Sequence, residues 1–269
     1  MKVARRSAVA LVSLAVALGV TVVALGSSGP QASGRQASEA PRFSGSTVGA
    51  FPMTYAAPGA ITEVPDPLGA ARNVLKMTVH DRDVYPITPT DNPRAALVSP
   101  SLLQHGMEVW MATEFLVPNN YPRVPAGGWV SLMSFYGPPF HNSSPWQLEL
   151  SGRYLQWQRN STYDFDLPFK QPLRRGQWIS VLMHERFDRH GFVELWIDGQ
   201  PIEFFDGDTY NPHRIAPTRR LKMATRDQSN DRGPNSARIA QYRRAGMFNV
   251  GTLYFGPLRV GPTRASVTS

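Results

Sequence analysis

The segment GQWISVLMHERFDRHGFVELWIDG, residues 176–199, decides the fold because it encodes two strands and two turns. Apolar and polar residues alternate from Trp178 to His184 and again from Phe192 to Ile197, as they do in strands with one buried face. A polar run separates the two stretches, and the final Asp-Gly pair is a tight-turn signal. The segment therefore predicts an antiparallel hairpin, with Trp178 or Trp196 packed inside the fold.

The same two-residue period continues on both sides of this hairpin. It predicts strands at Asn73–Val79, Met107–Val117, Trp129–Phe135, Trp146–Leu150, Tyr154–Gln158 and Thr252–Val260. Helical periodicity is nearly absent, and the best helical segment is the short stretch Asn235–Arg244. Many short strands joined by turns predict an all-β fold, a two-sheet β-jelly roll.

Composition narrows the classes of protein and partner. The chain has 269 residues and no cysteine, which excludes a disulfide scaffold, thiolate metal sites and cysteine nucleophiles. Lysine and arginine total 28 against 20 for aspartate and glutamate. This positive balance favours an acidic partner such as an acidic polysaccharide. The sequence has no motif that recognises a nucleic-acid groove, so no nucleic acid partner is expected.

The N-terminus has the features of a secretory signal. Basic residues begin at Lys2, an apolar run ends at Gly26, and small residues follow. We predict a signal peptide over 1–26, a flexible leader over 27–50 and a single jelly-roll domain over 51–269. The product would be secreted and extracellular, as a monomer. The alternative is an uncleaved membrane anchor, because the apolar run is about long enough to span a bilayer. We expect no other membrane contact.

Three segments in the front half of the chain carry a family resemblance. Pro93–Leu97 contains an arginine motif, Gly106–Trp110 has the form G-x-E-x-W, and Ser134–Phe140 contains a Gly-Pro-Pro turn. In this order they resemble the heparin lyase I-like polysaccharide lyases. The hairpin at 176–199 is similar to the central hairpin of concanavalin A-like jelly rolls, which the resemblance implies as the fold.

A fourth segment extends the resemblance to the C-terminal part of the chain. YRRAGMF, residues 242–248, resembles the Y-x-K-x-G-x-Y segment of alginate and glucuronan lyases. The sequence departs from the family pattern at four positions. Ser134 and Tyr136 replace the glutamine and histidine of Q-x-H, Ala96 replaces the glutamate of R-x-E, and Phe248 replaces the second tyrosine. The motifs therefore support the fold better than they support the catalytic site.

The resemblance implies cleavage of a uronic-acid polymer by β-elimination. A proton leaves C5, next to the carboxylate, and the C4–O bond breaks. The reaction needs a cation on the carboxylate, a base and an acid, and a tyrosine can act as both when nearby arginines lower its pKa. By position in the motifs, Arg94 would hold the carboxylate, and Tyr242 or Tyr136 would move the proton. Packing of Tyr136 on the prolines is its structural alternative.

Further residues are candidates for substrate binding: Arg159, Asn160, Tyr163, His141, His184 and Arg244. Their alternatives are a turn with packing at 159–163, a solvated loop at His141, and a hydrogen-bonded core histidine at His184. A working lyase predicts one sheet face that gathers Arg94, Tyr136, Arg159, Tyr163, Tyr242 and Arg244. Neither a cofactor nor a metal ion is expected.

Two other classes of function remain open. A non-catalytic carbohydrate-binding or cell-surface module would use the same fold, and the lost glutamine and histidine favour it. A glycoside hydrolase would need two carboxylates about 5–10 Å apart. Glu149 and Glu194 are isolated strand glutamates, so the hydrolase ranks below the other two.

Overall fold

The computed structural model describes residues 42–83, 92–136, 144–160, 165–205, 216–225 and 234–268. Within these residues, the strands in chain order are β1 (Phe43–Gly45), β2 (Met53–Ala56), β3 (Ile61–Pro65), β4 (Asn73–His80), β5 (Arg94–Val98), β6 (Glu108–Leu116), β7 (Val130–Tyr136), β8 (Trp146–Ser151), β9 (Tyr154–Asn160), β10 (Phe165–Pro172), β11 (Trp178–Arg186), β12 (Gly191–Ile197), β13 (Gln200–Pro201), β14 (Leu221–Met223), β15 (Ser236–Arg243), β16 (Val250–Phe255) and β17 (Leu258–Gly261). A 3-10 turn spans Val48–Ala50, and the short helix α1 spans Ala265–Thr268.

These strands form two antiparallel sheets. Sheet A has ten strands: β13, β12, β11, β6, β16, β4 and β3 are neighbours in that order, β14 pairs with β12, and β17 pairs with β6 and β1. Sheet B has seven strands in the order β10, β9, β8, β7, β15, β5, β2. The predicted all-β jelly roll is confirmed.

Alternate residues of the two sheets meet in one apolar core. Sheet A contributes side chains such as Met77 and Phe115, and sheet B contributes Trp146 and Trp157. The two tryptophan rings stack with centroids 4.2 Å apart. Because neighbouring residues of a strand face opposite sides, each sheet also presents a second face away from this core.

The hairpin predicted at 176–199 is confirmed as β11 and β12. His184 lies opposite Glu194 in their register. The turn after β12 places Asp198 and Gly199 at φ 50° and 76°, the left-handed region that aspartate and glycine tolerate best. The Asp-Gly pair therefore closes the turn as its sequence indicates.

The tryptophans of this hairpin correct a prediction, since neither packs inside. Trp178 is partly exposed, and its indole N–H donates to Asp66 Oδ2 at 3.0 Å. Trp196 is also partly exposed. The buried positions of the two strands are those of Ile179 and Leu195, which have the opposite parity to the tryptophans. Alternation predicts that one set is buried, and packing decides which one.

The segment Asn235–Arg244, the best helical candidate in the sequence, is not helical. Its residues form β15, which pairs with β5 on one side and with β7 on the other. A central strand satisfies its backbone hydrogen bonds on both edges, and this outweighs the helix propensity of its alanine, arginine and glutamine residues.

The sheet structure begins before the predicted domain start at residue 51. Strand β1 lies within the segment predicted as a flexible leader, where it pairs with β17, and the Phe43 ring packs edge-on against Phe51 at 5.3 Å. The predicted signal peptide and the leader up to residue 41 lie outside the described residues. In the part of the chain that the structure describes, no helix is long and apolar enough to cross a membrane.

Candidate active site on the seven-stranded sheet

Sheet B turns a polar surface away from the core. Residues paired directly across neighbouring strands share a face, so the register defines two rows. The first row is Lys170, Gln156, Glu149, Ser131, Tyr242 and Arg94. The second row is Gln158, Gln147, Ser134 and Arg238. We call these two rows the polar face of sheet B.

Two arginines meet a tyrosine on this face. The Arg94 guanidinium carbon lies 4.4 Å from the centroid of the Tyr242 ring, and that of Arg238 lies 5.5 Å from it. Trp129 packs edge-on against the same ring at 4.9 Å, and the Asn92 side-chain amide lies 3.4 Å from the phenolic oxygen. Arg94 is 9% exposed and Arg238 is 6% exposed. Positive charge is therefore concentrated around one partly buried tyrosine ring.

The floor between the arginines is small and uncharged. Ala96 lies opposite Ala240 in the register of β5 and β15. Arg238 Nε donates to Ser134 Oγ at 2.9 Å. Because an alanine stands at position 96, the floor between Arg94 and Arg238 offers them no carboxylate at that point.

A buried glutamate lies further along the first row. Glu149 is 2% exposed, and the Gln156 side-chain amide donates to its Oε1 at 2.6 Å. Burial raises the pKa of Glu149 to about 7, against the opposing effect of the Gln156 hydrogen bond. The carboxyl group is therefore largely neutral at mildly acidic pH and gains its charge near neutrality.

Two polar atoms of this face are buried from solvent. Ser131 Oγ and Gln147 Oε1 have no hydrogen-bond partner among the described residues. Buried polar groups are normally hydrogen-bonded, so these two atoms are exceptions on this face. The described residues contain no group of three or more histidine, cysteine or acidic side chains that could hold a metal ion.

Comparison with protein families identifies the family of the chain. The model of a family described as polysaccharide lyase matches residues 33–255. The chain belongs to the polysaccharide lyase family. The resemblance seen in its sequence motifs is thereby confirmed, and the polar face of sheet B lies within the matched residues. No curated protein matches the chain in sequence.

Solved structures share the fold of this polysaccharide lyase family member. An endo-β-1,4-glucuronan lyase from the fungus Trichoderma reesei matches with a TM-score of 0.59 at 14% identity, over 84% of this chain and 97% of that one. A family 7 alginate lyase in complex with its product matches with a TM-score of 0.52 at 9% identity, over 75% of this chain and 83% of that one. At such identities the similarity shows a common fold.

Of the residues predicted for a lyase site, Arg94 and Tyr242 are brought together. Arg159 is not with them, because it lies opposite Trp146 in register, on the side of sheet B that bears the core tryptophans. Its guanidinium pairs with the Asp166 carboxylate, with Nε 2.9 Å from Oδ1. Arg244 follows the end of β15, where it is exposed and donates from Nη1 to the Gly127 carbonyl at 3.0 Å.

His184 lies on sheet A and does not join Tyr242. Its Nδ1 is 2.7 Å from Glu194 Oε2, and its ring stacks on Trp110 with centroids 4.3 Å apart. Tyr136 ends β7, where its backbone pairs with Ser236, and Asn160 ends β9; their side chains lie outside the description. Tyr163 and His141 also lie outside the described residues.

Sequence reasoning missed several members of the polar face. They are Arg238, Ser131, Gln147, Gln156 and Lys170, and Glu149 was considered only for a hydrolase. The signal for Arg238 is its spacing of four from Tyr242, which places both residues on one side of a strand. The helical interpretation of that segment concealed the signal. The other residues alternate with apolar ones along β7 to β10.

Proposed function

We propose that this chain is a secreted polysaccharide lyase that cleaves a uronic-acid polymer by β-elimination on the polar face of sheet B. The observation that carries the proposal is the cluster of Arg94 and Arg238 around Tyr242. Membership of the polysaccharide lyase family supports the reaction class. A neighbouring structure is that of a glucuronan lyase, and others are of alginate lyases, which supports an acidic polymer as the substrate.

The two arginines would bind the carboxylate of the sugar that reacts. Removal of the C5 proton places negative charge on this carboxylate, and fixed cations stabilise that charge more in the transition state than in the ground state. Arg94 and Arg238 are nearly buried, so their interaction with the carboxylate is weakly screened by water. They would therefore bind the substrate and also lower the barrier.

Tyr242 is the group placed to move the proton. Its phenolic oxygen, in the ionised form, would accept the proton from C5, and the C–H electron pair would form the C4=C5 double bond. The C4–O pair would leave with the oxygen of the departing sugar, which would receive the proton from the tyrosine. One residue would thus act as base and then as acid, and it would return to the leaving oxygen the proton that it took from C5.

Glu149 would make the binding of a polyanion to the same face depend on pH. A neutral carboxyl group can donate a hydrogen bond to a sugar hydroxyl, whereas a carboxylate in this position would repel the polymer. Because burial raises the pKa of Glu149 to about 7, we expect polymer binding to weaken as the pH rises through neutrality. Glu149→Gln keeps the shape and removes this ionisation.

The decisive experiment is an absorbance screen for unsaturated uronide with a panel of uronic-acid polymers. Tyr242→Phe should lower the rate by about 10²–10⁴-fold, because it deletes the proton-transfer oxygen. Its polymer binding should stay within about twofold of the parent protein. Full activity in Tyr242→Phe would contradict the assigned role, and lack of product from every polymer would contradict the lyase proposal.

A non-catalytic binding module is the second candidate function. Ser134 and Tyr136, which stand where the family pattern has glutamine and histidine, favour it. Tight polymer binding without unsaturated product would establish this alternative. N-terminal sequencing of protein from culture medium would test secretion; a retained Met1 in the membrane fraction would indicate an anchor instead.

A further inference from the structure

Sheet A carries a second group of charged and aromatic side chains on the side away from the core. One cross-strand row is Lys222, Phe192, Arg186 and Glu108, and the next contains Glu194, His184 and Trp110. Arg220 and Trp196 adjoin the second row through Glu194 and Trp110. We call these residues the outer face of sheet A. None of them belongs to sheet B, so this surface is separate from the proposed active site.

A pocket of about 620 Å³ lies on the outer face of sheet A. Its ten lining residues include four cations and a single acidic residue, Glu108; the cations are Arg186, Arg189, Arg220 and Lys222. The side chains of Arg186 and Arg220 are 47% and 51% exposed. The pocket therefore presents accessible positive charge to solvent.

One aromatic ring, Phe192, lines the same pocket, and two tryptophans lie further along the outer face of sheet A. The Arg220 guanidinium carbon lies 4.1 Å from the centroid of the Phe192 ring, and its Nε donates to Glu194 at 2.9 Å. Beyond Glu194, the Trp110 ring stacks with those of His184 and Trp196, at centroid distances of 4.3 and 5.4 Å. Cations that bind carboxylates and aromatic surfaces that contact sugar rings are thus combined on one surface.

We propose that the outer face of sheet A is a second binding site for an acidic polysaccharide, which holds the polymer while another stretch reacts on sheet B. Charge complementarity selects the ligand, since the four cations of the pocket outnumber Glu108 together with Asp188 and Glu194, the carboxylates that pair with Arg186 and Arg220. A polymer can bind both sites of one molecule, which raises its local concentration at the active site. Binding at this site does not require catalysis, whereas the holding of a reacting polymer rests on the proposed function.

The test measures binding of immobilised polyglucuronate and polymannuronate by Tyr242→Phe, which keeps the polymer intact. In this background, reversal of two pocket charges with Arg186→Glu and Lys222→Glu should weaken binding about tenfold at low salt. The matched control reverses two exposed arginines outside both faces, Arg123→Glu and Arg153→Glu, which lie in the loops after β6 and after β8. It has the same net charge and should stay within about twofold.

Equal losses in both double variants would overturn the site, because net charge alone would then explain binding. Equal affinity for a DNA duplex would overturn the choice of polysaccharide. Thermal melts verify folding, and Arg186→Gln with Lys222→Gln is the milder pair if the reversed one unfolds. If the parent chain is a lyase, the pocket variant in the active background should lose rate on long polymer but not on a tetrasaccharide. If the parent chain is inactive, the binding measurement by itself still tests the second binding site.

Discussion

The polar face of sheet B and the outer face of sheet A both consist of cross-strand rows of side chains, but their arginines differ in burial. On sheet B, Arg94 and Arg238 are nearly buried and surround one tyrosine. On sheet A, Arg186 and Arg220 are about half exposed, and Arg220 pairs with Glu194. Both faces use cross-strand rows to collect residues that are distant in sequence.

We propose that this difference in burial separates catalysis on one face from accessory binding on the other. A buried charge acts through a low local dielectric and strongly perturbs its neighbours, as catalysis requires. An exposed charge is screened by water and salt, so it attracts a polyanion without perturbing one reacting bond. We therefore assign the reaction to sheet B and accessory binding to sheet A, and the following variants test that assignment in pairs.

The largest effect on stability is expected from a comparison of two tryptophans, one on the core side of sheet B and one on the outer face of sheet A. Trp157 is fully buried on the core side of sheet B, whereas Trp196 is partly exposed on the outer face of sheet A. Trp157→Ala should lower the free energy of unfolding by about 3–5 kcal/mol. Trp196→Ala should cost less than about 2 kcal/mol. Denaturant unfolding measures both, and equal losses would refute the assigned packing.

Arginines of the two faces should differ in their effect on catalysis. Arg94→Ala should lower kcat/KM by about 10²–10³-fold and weaken substrate binding, because it removes the cation that our proposal places on the reacting carboxylate. Arg94→Lys should restore part of the activity. Arg220→Ala should change the rate on a short oligosaccharide less than about fivefold. A larger loss for Arg220→Ala than for Arg94→Ala would reverse our assignment of the faces.

Two glutamates should give stability profiles of opposite sign. Burial raises the pKa of Glu149 from 4.5 to about 7, so the folded state retains a proton that the unfolded state releases. Its contribution is fully present below about pH 4.5 and is lost as the pH rises to about 7, a change of about 3 kcal/mol. Glu149→Gln should remove this slope, as measured by urea unfolding across that range.

Glu194 on sheet A should show the opposite dependence of stability on pH. Burial would raise its pKa, but hydrogen bonds from Arg220 and His184 outweigh burial and lower it. Its contribution is therefore present above the ordinary pKa of a glutamate and is lost as the pH falls below that value. Glu194→Gln should flatten only the acid side of the profile. Burial raises the pKa of Glu185 as well, so each variant is compared with the parent protein.

The smallest effect is expected at the exposed ion pair. Arg220→Ala removes the partner of Glu194 on a half-exposed surface, where such pairs contribute less than about 1 kcal/mol to stability. Added salt should reduce this difference further. Unfolding at low and high salt measures it, and a loss above about 2 kcal/mol would show that the outer face is structural.

The amino-acid sequence alone determined the fold class and the family. Strand alternation, the Asp198-Gly199 turn and the lack of helical periodicity are local properties, so they indicate a jelly roll without knowledge of the partners of any strand. The motif that contains Arg94 and the one that begins at Tyr242 were also visible, because their residue types and spacing lie within short segments.

Only the tertiary structure decided which residues share a face. Alternation divides a strand into two sets, but packing against the other sheet determines which set is buried, and this reversed the expectation for Trp178 and Trp196. Pairing on both edges made β15 a strand and placed Arg238 beside Tyr242. The register across β9, β8, β7, β15 and β5 joined Gln156 and Glu149 to Arg94 in one row. That register depends on hydrogen bonds between segments far apart in the chain, which no local pattern encodes.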